Sequence, residues 1–158
     1  MVAVVAIEIR TARDADTDFV TGFVPSLLEF GSPAWNDAEG LAPGFADVLA
    51  SAVRAQDSRS TVLIAQSTDG TRLGFISLKV REDVAGVERG HVADLSVIEG
   101  ARRIGVGTAL MRAGEAWARE RGLTALSLDV WATNERARAF YETLGYCAES
   151  LCLFKRVD

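Results

Sequence analysis

Histidine and cysteine are nearly missing from this sequence. Its 158 residues contain one histidine, His91, and two cysteines, Cys147 and Cys152. A structural zinc site usually takes about four nitrogen or sulfur ligands, which these side chains cannot supply, so we expect no metal site. The two cysteines lie in an apolar C-terminal stretch with the character of a strand. We therefore expect them to be buried thiols that pack as small hydrophobic side chains.

Long apolar runs are also missing. No stretch approaches the roughly 18–20 apolar residues that a membrane-spanning helix needs. The apolar start, Met1–Glu8, is short and has neither the basic residues nor the small-residue cleavage site of a signal peptide, so it predicts an opening strand. From these patterns we expect a cytoplasmic protein with no membrane partner. The length fits one domain over residues 1–158, because domains typically span roughly 100–200 residues.

Concentrated positive charge is the third absence. Lys and Arg number 17 against 22 Asp and Glu, which gives a net charge of −5, and the basic residues are spread along the chain. Binding to a phosphate backbone needs a basic stripe, so we expect no nucleic-acid partner. An acidic balance suits an amine-bearing substrate, although acidity also serves solubility.

The spacing of hydrophobic residues predicts the order of the elements. Strands are predicted at Val4–Arg10, Thr61–Gln66, Arg72–Arg81, His91–Val97, Leu123–Trp131 and Tyr146–Val157. Helices are predicted from Ala15, with a break at Pro25, and at Gly44–Gln56, Gly105–Arg121 and Asn134–Leu144. Asp69-Gly70 is a strong hairpin signal between the second and third strands. This order predicts an α/β fold, in which helices cover both faces of a central sheet.

One loop has the composition of an anion site. Arg102–Thr108 joins the carboxyl end of a strand to a helix, where the first free N–H groups and the helix dipole favour a phosphate. Gly105 and Gly107 carry no Cβ, so a phosphate can approach the backbone, and Thr108 adds a hydroxyl donor. A dinucleotide-binding fingerprint would need a third glycine where Leu110 stands, and no Walker A run is present. A glycine-rich turn that merely caps the helix is the alternative.

A second segment accompanies this loop. Asn134–Tyr146, which reads Asn-Glu-Arg-Ala-Arg-Ala-Phe-Tyr-Glu-Thr-Leu-Gly-Tyr, begins 27 residues after Gly107. Arg102, Gly105 and Gly107 match the pattern Gln/Arg-x-x-Gly-x-Gly/Ala, and the pair of motifs resembles the GNAT acetyltransferase superfamily. That family's second motif is Asn-x-x-Ala-x-x-Phe-Tyr-x-x-Leu-Gly-Phe/Tyr. The resemblance implies a mixed, mostly antiparallel sheet of about six to seven strands, splayed between the fourth and the fifth.

The resemblance implies acetyl-CoA as a co-substrate and assigns residues to it. The backbone of Leu95, Ser96 and Val97 would pair with the pantetheine arm, and an N–H there would polarise the thioester carbonyl. Asn134 would hydrogen-bond the arm, and Tyr141 would protonate the departing thiolate. The predicted pyrophosphate-binding residues are Arg102, Arg103, Ile104, Gly105, Val106, Gly107 and Thr108. From the residues alone, Asn134 can equally be a helix N-cap and Tyr141 a packed aromatic.

An amine must lose its proton before it attacks, since a lysine amine titrates near pH 10.4 and an α-amino group near about 7.7–8.0. A general base, or a water chain that ends on a carboxylate, would remove that proton. Three residues compete for the role: Asp94 on the fourth strand, Asp129 on the fifth and His91 at the start of the fourth. Each can instead be structural, the two aspartates by bonding to neighbouring backbone or arginine, and His91 as a polar strand end.

The binding site of the acceptor amine is the part that the sequence defines least. The resemblance places specificity in Val24–Gly44 and the terminal strands, where Trp35, Asp37 and Glu39 are the candidates to face an amine. We expect direct transfer of an acetyl group to a primary amine of a small molecule or peptide, without a covalent acyl-enzyme. The alternatives are a non-catalytic acyl-CoA-binding sensor of the same fold, and a longer acyl donor or an O-acyl product. Dimers are common in this family, so a homodimer is one expected assembly.

Overall fold

Five strands and five α-helices are present in the part of the chain that the computed structural model describes, residues 6–31, 38–155 and 157. The strands are β1 (Ile7–Thr11), β2 (Ser60–Ser67), β3 (Arg72–Glu82), β4 (Glu88–Val97) and β5 (Leu126–Leu128). The helices are α1 (Thr17–Thr21), α2 (Val24–Gly31), α3 (Ala38–Arg54), α4 (Val106–Glu120) and α5 (Glu135–Thr143). Short 3-10 turns precede α1 at Asp14–Asp16 and α4 at Glu99–Ala101.

The strands form one mixed sheet in the order β1-β2-β3-β4-β5. The first four strands are antiparallel, and β5 joins β4 in parallel. Short turns connect β2 to β3 and β3 to β4, whereas α1, α2 and α3 lie between β1 and β2. In the first hairpin, Gly70 has a φ of +86°, while Asp69 Oδ1 accepts hydrogen bonds from the Ser67 hydroxyl and the Thr71 N–H. This confirms the turn that Asp69-Gly70 predicts.

The prediction of six to seven strands is wrong for the described residues, which contain five. Residues 146–155, predicted to be strand, form no regular element, and β5 is three residues long rather than the predicted nine of Leu123–Trp131. Residues 146–155 belong to no strand of the described structure, and Leu151, Leu153 and Phe154 are exposed on the surface. Cys147 and Cys152 are exposed as well, and the prediction of buried thiols is wrong.

Helices cover both faces of the sheet, as predicted. On one face α1, α2 and α3 pack on the sheet around Val20, Leu49 and Phe75, all fully buried. On the other face α4 packs through Leu110 and Met111. Alternate residues of the strands serve the two cores, since successive side chains of a strand point to opposite faces.

Two prolines give different outcomes in the helical region. Pro25 lies in the first turn of α2 and separates it from α1, so the predicted break is confirmed. The prediction that the next helix begins at Gly44 is wrong, because α3 begins at Ala38 and contains Pro43. Pro43 is the sixth residue of α3, beyond the four N–H groups that have no acceptor within a helix, so it removes one hydrogen bond of the helix.

A bulge in β4 opens the sheet beside β5. Ser77 of β3 pairs with Asp94, while the next residue, Leu78, pairs with Val92, so Ala93 is an extra residue in β4. The parallel pairing of β4 with β5 ends at Val92 and Leu128, although β4 itself continues to Val97. A bulged residue bends its strand and ends the regular pairing there. The last residues of β4 therefore border a gap rather than a neighbouring strand of the described structure.

Candidate active site

A cleft of about 750 Å³ lies at this gap. Its walls come from the end of β4, the loop before α4, the first turn of α4, the residues after β5 and the start of α5. From the face of the sheet opposite α4, α2 contributes Ser26 and Leu27 and α3 contributes Phe45. Ligand sites typically enclose about 300–1,000 Å³, so the cleft has room for a cofactor and an acceptor together.

The start of α4 provides an anion site at one end of the cleft. Gly105 occupies the N-cap position with a φ of +93°, and no side chain caps the helix there. The first hydrogen bond of the helix runs from Ala109 N–H to the Gly105 carbonyl at 2.9 Å. The N–H groups of residues 106–108 therefore have no acceptor within the helix and are free to bind a ligand. The helix dipole adds partial positive charge at the same place. Arg102 and Arg103 line the same end of the cleft.

The loop backbone is strained where it turns into α4. Arg103 has a φ of 65°, the only non-glycine residue of the described chain in the left-handed region. Such residues cost about 1–3 kcal/mol and cluster at ligand-binding positions. The Arg102 side chain folds back so that its Nε lies 3.4 Å from the Val97 carbonyl oxygen. The loop is thus tied to the end of β4, which holds the two walls of the cleft together.

The two glycines of the loop serve different needs. Gly105 requires its positive φ, and an added Cβ there would meet no atom within 4 Å. A Cβ at Gly107 would lie 3.2 Å from Phe140 Cζ, so Gly107 allows α5 to pack closely on the start of α4. The sequence suggested only that Gly107 gives a phosphate access, and this second requirement was not visible from the motif.

Most of the residues predicted to bind the cofactor line this cleft. They are Leu95, Ser96, Val97, Arg102, Arg103, Gly105, Gly107, Thr108, Asn134 and Tyr141. Ile104 and Val106 do not line it, because Ile104 is an exposed side chain and Val106 is buried in the core under α4. Any contact of these two residues with a cofactor would be through the backbone, and their role stays a prediction.

Asn134 is the N-cap of α5, which confirms the alternative that the sequence left open. Its Oδ1 accepts a hydrogen bond from the Ala137 N–H at 3.1 Å. This bond uses the side-chain oxygen and leaves the amide NH₂ as a donor. Since Asn134 also lines the cleft, capping and ligand binding are compatible.

Tyr141 presents a protonated hydroxyl to the cleft. Its ring packs against Phe140 at 5.2 Å and Tyr146 at 6.1 Å between centroids, so the packing role is confirmed as well. Burial raises the pKa of Tyr141 to about 12. Within the described residues, no protein group forms a hydrogen bond with its hydroxyl. The proton is therefore held at neutral pH and is available to a ligand.

Asp94 has the properties of a general base. Its carboxyl lines the cleft, is half-buried, and has no hydrogen-bond or ion-pair partner within the described residues. Burial raises its pKa to about 6, and the positive charge of Lys79 opposes part of that shift. The alternative that Asp94 is satisfied by neighbouring backbone or arginine is not what the structure contains. A carboxylate that titrates near 6 is suited to accept a proton at neutral pH.

The other two base candidates have different surroundings. Asp129 lines the cleft, but its side chain is 84% exposed and forms an ion pair with Arg81 at 3.2 Å. His91 is buried outside the cleft lining, with Nδ1 3.1 Å from Ser127 Oγ and Nε2 3.7 Å from Asp129 Oδ2. The Ser127 hydroxyl also lies 3.2 Å from the Gly90 carbonyl oxygen, so it can donate there and accept from His91 Nδ1 when that nitrogen carries the proton. Burial lowers the pKa of His91, which favours the neutral ring.

The acceptor candidates of the sequence are not at the cleft wall that the structure describes. Glu39 is exposed on α3 and does not line the cleft, while Trp35 and Asp37 lie outside the described residues. The structure instead brings Leu27, Phe45 and Trp131 to the cleft. Phe45 packs against the core under α3 and also lines the cleft. Trp131 follows the parallel strand β5. Its position was a signal in the sequence, because ligands gather at the carboxyl ends of such strands.

Comparison with known proteins bears on this geometry. The sequence profile of the acetyltransferase (GNAT) family matches residues 25–146, well over half of the chain. The chain belongs to the GNAT acetyltransferase family. The two motifs that carry the resemblance, at Arg102–Gly107 and Asn134–Tyr146, both fall inside the matched region.

Named relatives of this GNAT protein include acetyltransferases of small molecules. It is 40% identical over 90 residues to an aminoglycoside N(6')-acetyltransferase type 1 of Klebsiella aerogenes, and the match covers 55% of this chain and 59% of that enzyme. It is 30% identical over 139 residues to an uncharacterized N-acetyltransferase of Bacillus subtilis, with 87% and 88% covered.

A solved structure of an aminoglycoside acetyltransferase has the same fold. The enzyme AAC(6')-Iy, in complex with a CoA-containing bisubstrate analogue, superposes with a TM-score of 0.69 at 22% identity and covers 97% of this chain and 99% of its own. In the described part of this GNAT chain, no helix is long and apolar enough to cross a membrane. Within those same residues, no three His, Cys, Asp or Glu side chains converge as metal ligands would.

Proposed function

We propose that this chain is an acetyl-CoA-dependent N-acetyltransferase that acetylates a primary amine of a small molecule. The observation that carries the proposal is the continuity of the cleft. One space of about 750 Å³ joins the uncapped start of α4 to the carboxyl of Asp94. The first end suits the phosphates of a cofactor, and the second suits the amine that receives the acetyl group.

The donor would lie along the loop and the free part of β4. Arg102, Arg103 and the N–H groups at the start of α4 supply positive charge and donors for a pyrophosphate. Alternate backbone groups of Leu95–Val97 point away from β3 towards the gap, where they can pair with an extended ligand as a strand would. An N–H in this stretch would also stabilise the negative charge that develops on the carbonyl oxygen during transfer.

Two side chains would move the protons. Asp94 takes a proton from the ammonium form of the acceptor, and the neutral amine then attacks the acetyl carbonyl. Tyr141 gives its proton to the departing sulfur and regains one from the nitrogen. The pKa of about 6 for Asp94 and about 12 for Tyr141 put each group in the required state at neutral pH.

The acceptor class rests on the relatives and on the charge of the cleft. Two acidic side chains, Asp94 and Asp129, line the cleft, and Phe45 and Trp131 supply apolar surface beside them. A cationic amine on a compact, partly apolar molecule fits such surroundings. The aminoglycoside acetyltransferase of Klebsiella aerogenes supports an amino sugar as the first acceptor to examine.

The test is an acetylation assay with a panel of amines. Purified protein is incubated with acetyl-CoA and an aminoglycoside, a polyamine, free lysine or a short peptide, and the products are analysed by mass spectrometry. We expect an acetylated product from at least one small-molecule amine, and loss of that product with the Asp94→Asn variant. Tight binding of acetyl-CoA without acetylation of any amine would contradict the proposal and favour the acyl-CoA sensor.

A further inference from the structure

A second, smaller cavity of about 120 Å³ lies behind the active-site cleft, between α3 and the sheet. Val48 and Ala52 of α3 form one wall. The opposite wall is made by three strands, with Ser60 and Thr61 of β2, Ser77, Leu78 and Lys79 of β3, and Ala93 and Asp94 of β4. A water molecule occupies about 30 Å³ of liquid, so the cavity has room for a few waters.

Asp94 belongs to both spaces. It lines the large cleft and the small cavity, and so does the bulged residue Ala93 that precedes it. The bulge is the cause, because the extra residue turns Asp94 to the position opposite Ser77 while β4 separates from β5. Its carboxyl is therefore reachable from the cleft on one side and from the small cavity on the other.

Ser77 supplies an unsatisfied hydroxyl next to this carboxyl. It is the direct cross-strand partner of Asp94 and is only 6% exposed. Within the described residues, its hydroxyl forms no hydrogen bond with any protein group. Among the described residues Trp117 Nε1 is the one side-chain polar atom that is closed to solvent and has no partner, so the Ser77 hydroxyl is open to water, which is the polar partner available to it.

The remaining polar groups of the cavity extend the path to the surface. The Thr61 hydroxyl donates to Gln56 at 2.9 Å, and the Ser60 hydroxyl donates to Asp57 at 3.0 Å. Both oxygens keep lone pairs that can accept from water. Lys79 and Val48, which also line the cavity, are exposed, so the cavity reaches solvent without passing through the cleft.

We propose that the small cavity holds a chain of water through which Ser77 passes the proton from Asp94 to solvent. This inference rests on the proposed acetyl transfer. The ammonium group loses two protons in the overall reaction, of which one ends on the CoA sulfur and the other is released. With both substrates bound, the cleft side of Asp94 is covered. The proton then leaves Asp94 for a cavity water, which passes a proton to the Ser77 hydroxyl. Ser77 gives its own proton to the next water, that water passes one on to solvent, and the carboxylate is restored for the next turnover.

The kinetic test removes the path while leaving the cleft intact. Two variants block the path: Ser77→Val removes the hydroxyl, and Ala52→Leu fills the cavity from α3. Each has a control. Ser77→Thr keeps the hydroxyl, and Ala50→Leu adds the same volume on α3 outside the cavity lining. Acid–base steps contribute about 10²–10⁴ to rates, so we expect kcat to fall roughly tenfold or more in the first two variants. The solvent deuterium isotope effect on kcat should rise in the same two, with the Kd for acetyl-CoA unchanged.

A crystal structure of the wild-type protein gives a readout that does not depend on turnover. We expect ordered waters that connect Ser77 Oγ to the Asp94 carboxyl and continue past Lys79. A dry cavity would overturn the inference whatever the activity. Unchanged kcat and isotope effect in both Ser77→Val and Ala52→Leu would also overturn it while leaving the acetyl transfer intact. Failure of the proposed function would differ, because wild-type protein would then acetylate no amine although the waters are present.

Discussion

A Cβ atom at Gly107 would lie 3.2 Å from the ring of Phe140, so α4 and α5 meet at the second glycine of the cofactor loop. This contact joins the two sequence motifs of the family in space, because Gly107 belongs to the first and Phe140 to the second. The loop that would hold the pyrophosphate is thereby supported by the helix that carries Tyr141.

Gly107→Ala should weaken acetyl-CoA binding by displacing α5 from α4. Overpacking of a tight contact typically costs about 1–3 kcal/mol, which corresponds to roughly a 5- to 150-fold rise in Kd if the cost falls on the bound state. Calorimetric titration with acetyl-CoA measures it. Shortening the neighbour in Gly107→Ala/Phe140→Leu should restore part of the affinity. Gly100→Ala is the control, since a Cβ there meets no atom within 4 Å. Equal affinity of Gly107→Ala and wild type would show that the contact does not support the site.

Tyr141→Phe should lower kcat by about 10²–10³ and leave the Kd for acetyl-CoA nearly unchanged, because only the proton donor to sulfur is lost. Steady-state kinetics together with calorimetry separate the two quantities. Tyr146→Phe is a matched control, since its hydroxyl bonds to Glu115 and the residue does not line the cleft. Wild-type turnover in Tyr141→Phe would remove this role and leave the aromatic packing as its whole function.

The rate should follow the ionisation of Asp94. Its pKa of about 6 means that kcat/KM rises with pH through that value and falls below it, as the carboxyl becomes protonated. A pH profile of kcat/KM between pH 4.5 and about 8 measures the inflection, and Asp94→Asn should abolish it. An inflection that persists in Asp94→Asn and disappears in Asp129→Asn would transfer the role to Asp129.

The ionised carboxylate of Asp94 should lower the stability of the folded protein. The pKa of Asp94 in the folded protein lies above its ordinary value of 3.8, so the folded state binds more protons in the window between 3.8 and about 6. Stability contributed by this group therefore falls as pH rises through that window. At pH 7 we expect Asp94→Asn to raise Tm while it removes activity, and calorimetric unfolding measures the change. A lower Tm in Asp94→Asn would mean that the carboxylate has a stabilising partner.

Asp16, in contrast to Asp94, should stabilise the folded protein at neutral pH. It is 3% exposed and accepts hydrogen bonds from Arg10 at 2.7 and 2.9 Å, from Arg72 at 3.3 Å and from the Arg13 N–H at 2.8 Å. The bond from Arg10 is the main cause that lowers the pKa of Asp16, so its stabilisation is present above the unfolded pKa and is lost as pH falls through the folded one. We expect Asp16→Asn to lower the free energy of unfolding by about 1.5–3 kcal/mol at pH 7, measured by urea denaturation. An equal loss at pH 3 would contradict the ionic origin.

The parts of the fold that the sequence predicted are those with a local physical cause. The apolar strands β2 and β3, the Asp69-Gly70 turn and the apolar face of α4 each follow from residues close together along the chain. The Arg102–Gly107 motif was assigned to a cofactor only together with Asn134–Tyr146, through the resemblance to the GNAT family, and cofactor binding at this loop stays a prediction.

The parts that escaped prediction depend on contacts distant in sequence. The resemblance predicted that the fourth strand splays from the fifth, but no residue pattern placed the bulge at Ala93, which sets Asp94 opposite Ser77 and at the lining of two cavities. The apolar C-terminal residues predicted a strand, but a strand also needs a place at the edge of a sheet, and residues 146–155 form no regular element in the described structure. Phe45 shares its helical spacing with the core residues Leu49 and Val53, so spacing alone does not show that it also lines the cleft.

The central claim is that one cleft brings acetyl-CoA and an amine together at Asp94 and Tyr141. Its most direct test is the initial rate at which free CoA thiol is released from acetyl-CoA by wild-type protein and by Gly107→Asp, with and without an amine acceptor. We expect the wild-type protein to release thiol only when an amine acceptor is present. We expect no release from Gly107→Asp, where a carboxylate would meet Phe140 and repel the pyrophosphate. Amine-dependent release at the wild-type rate by Gly107→Asp would contradict the claim.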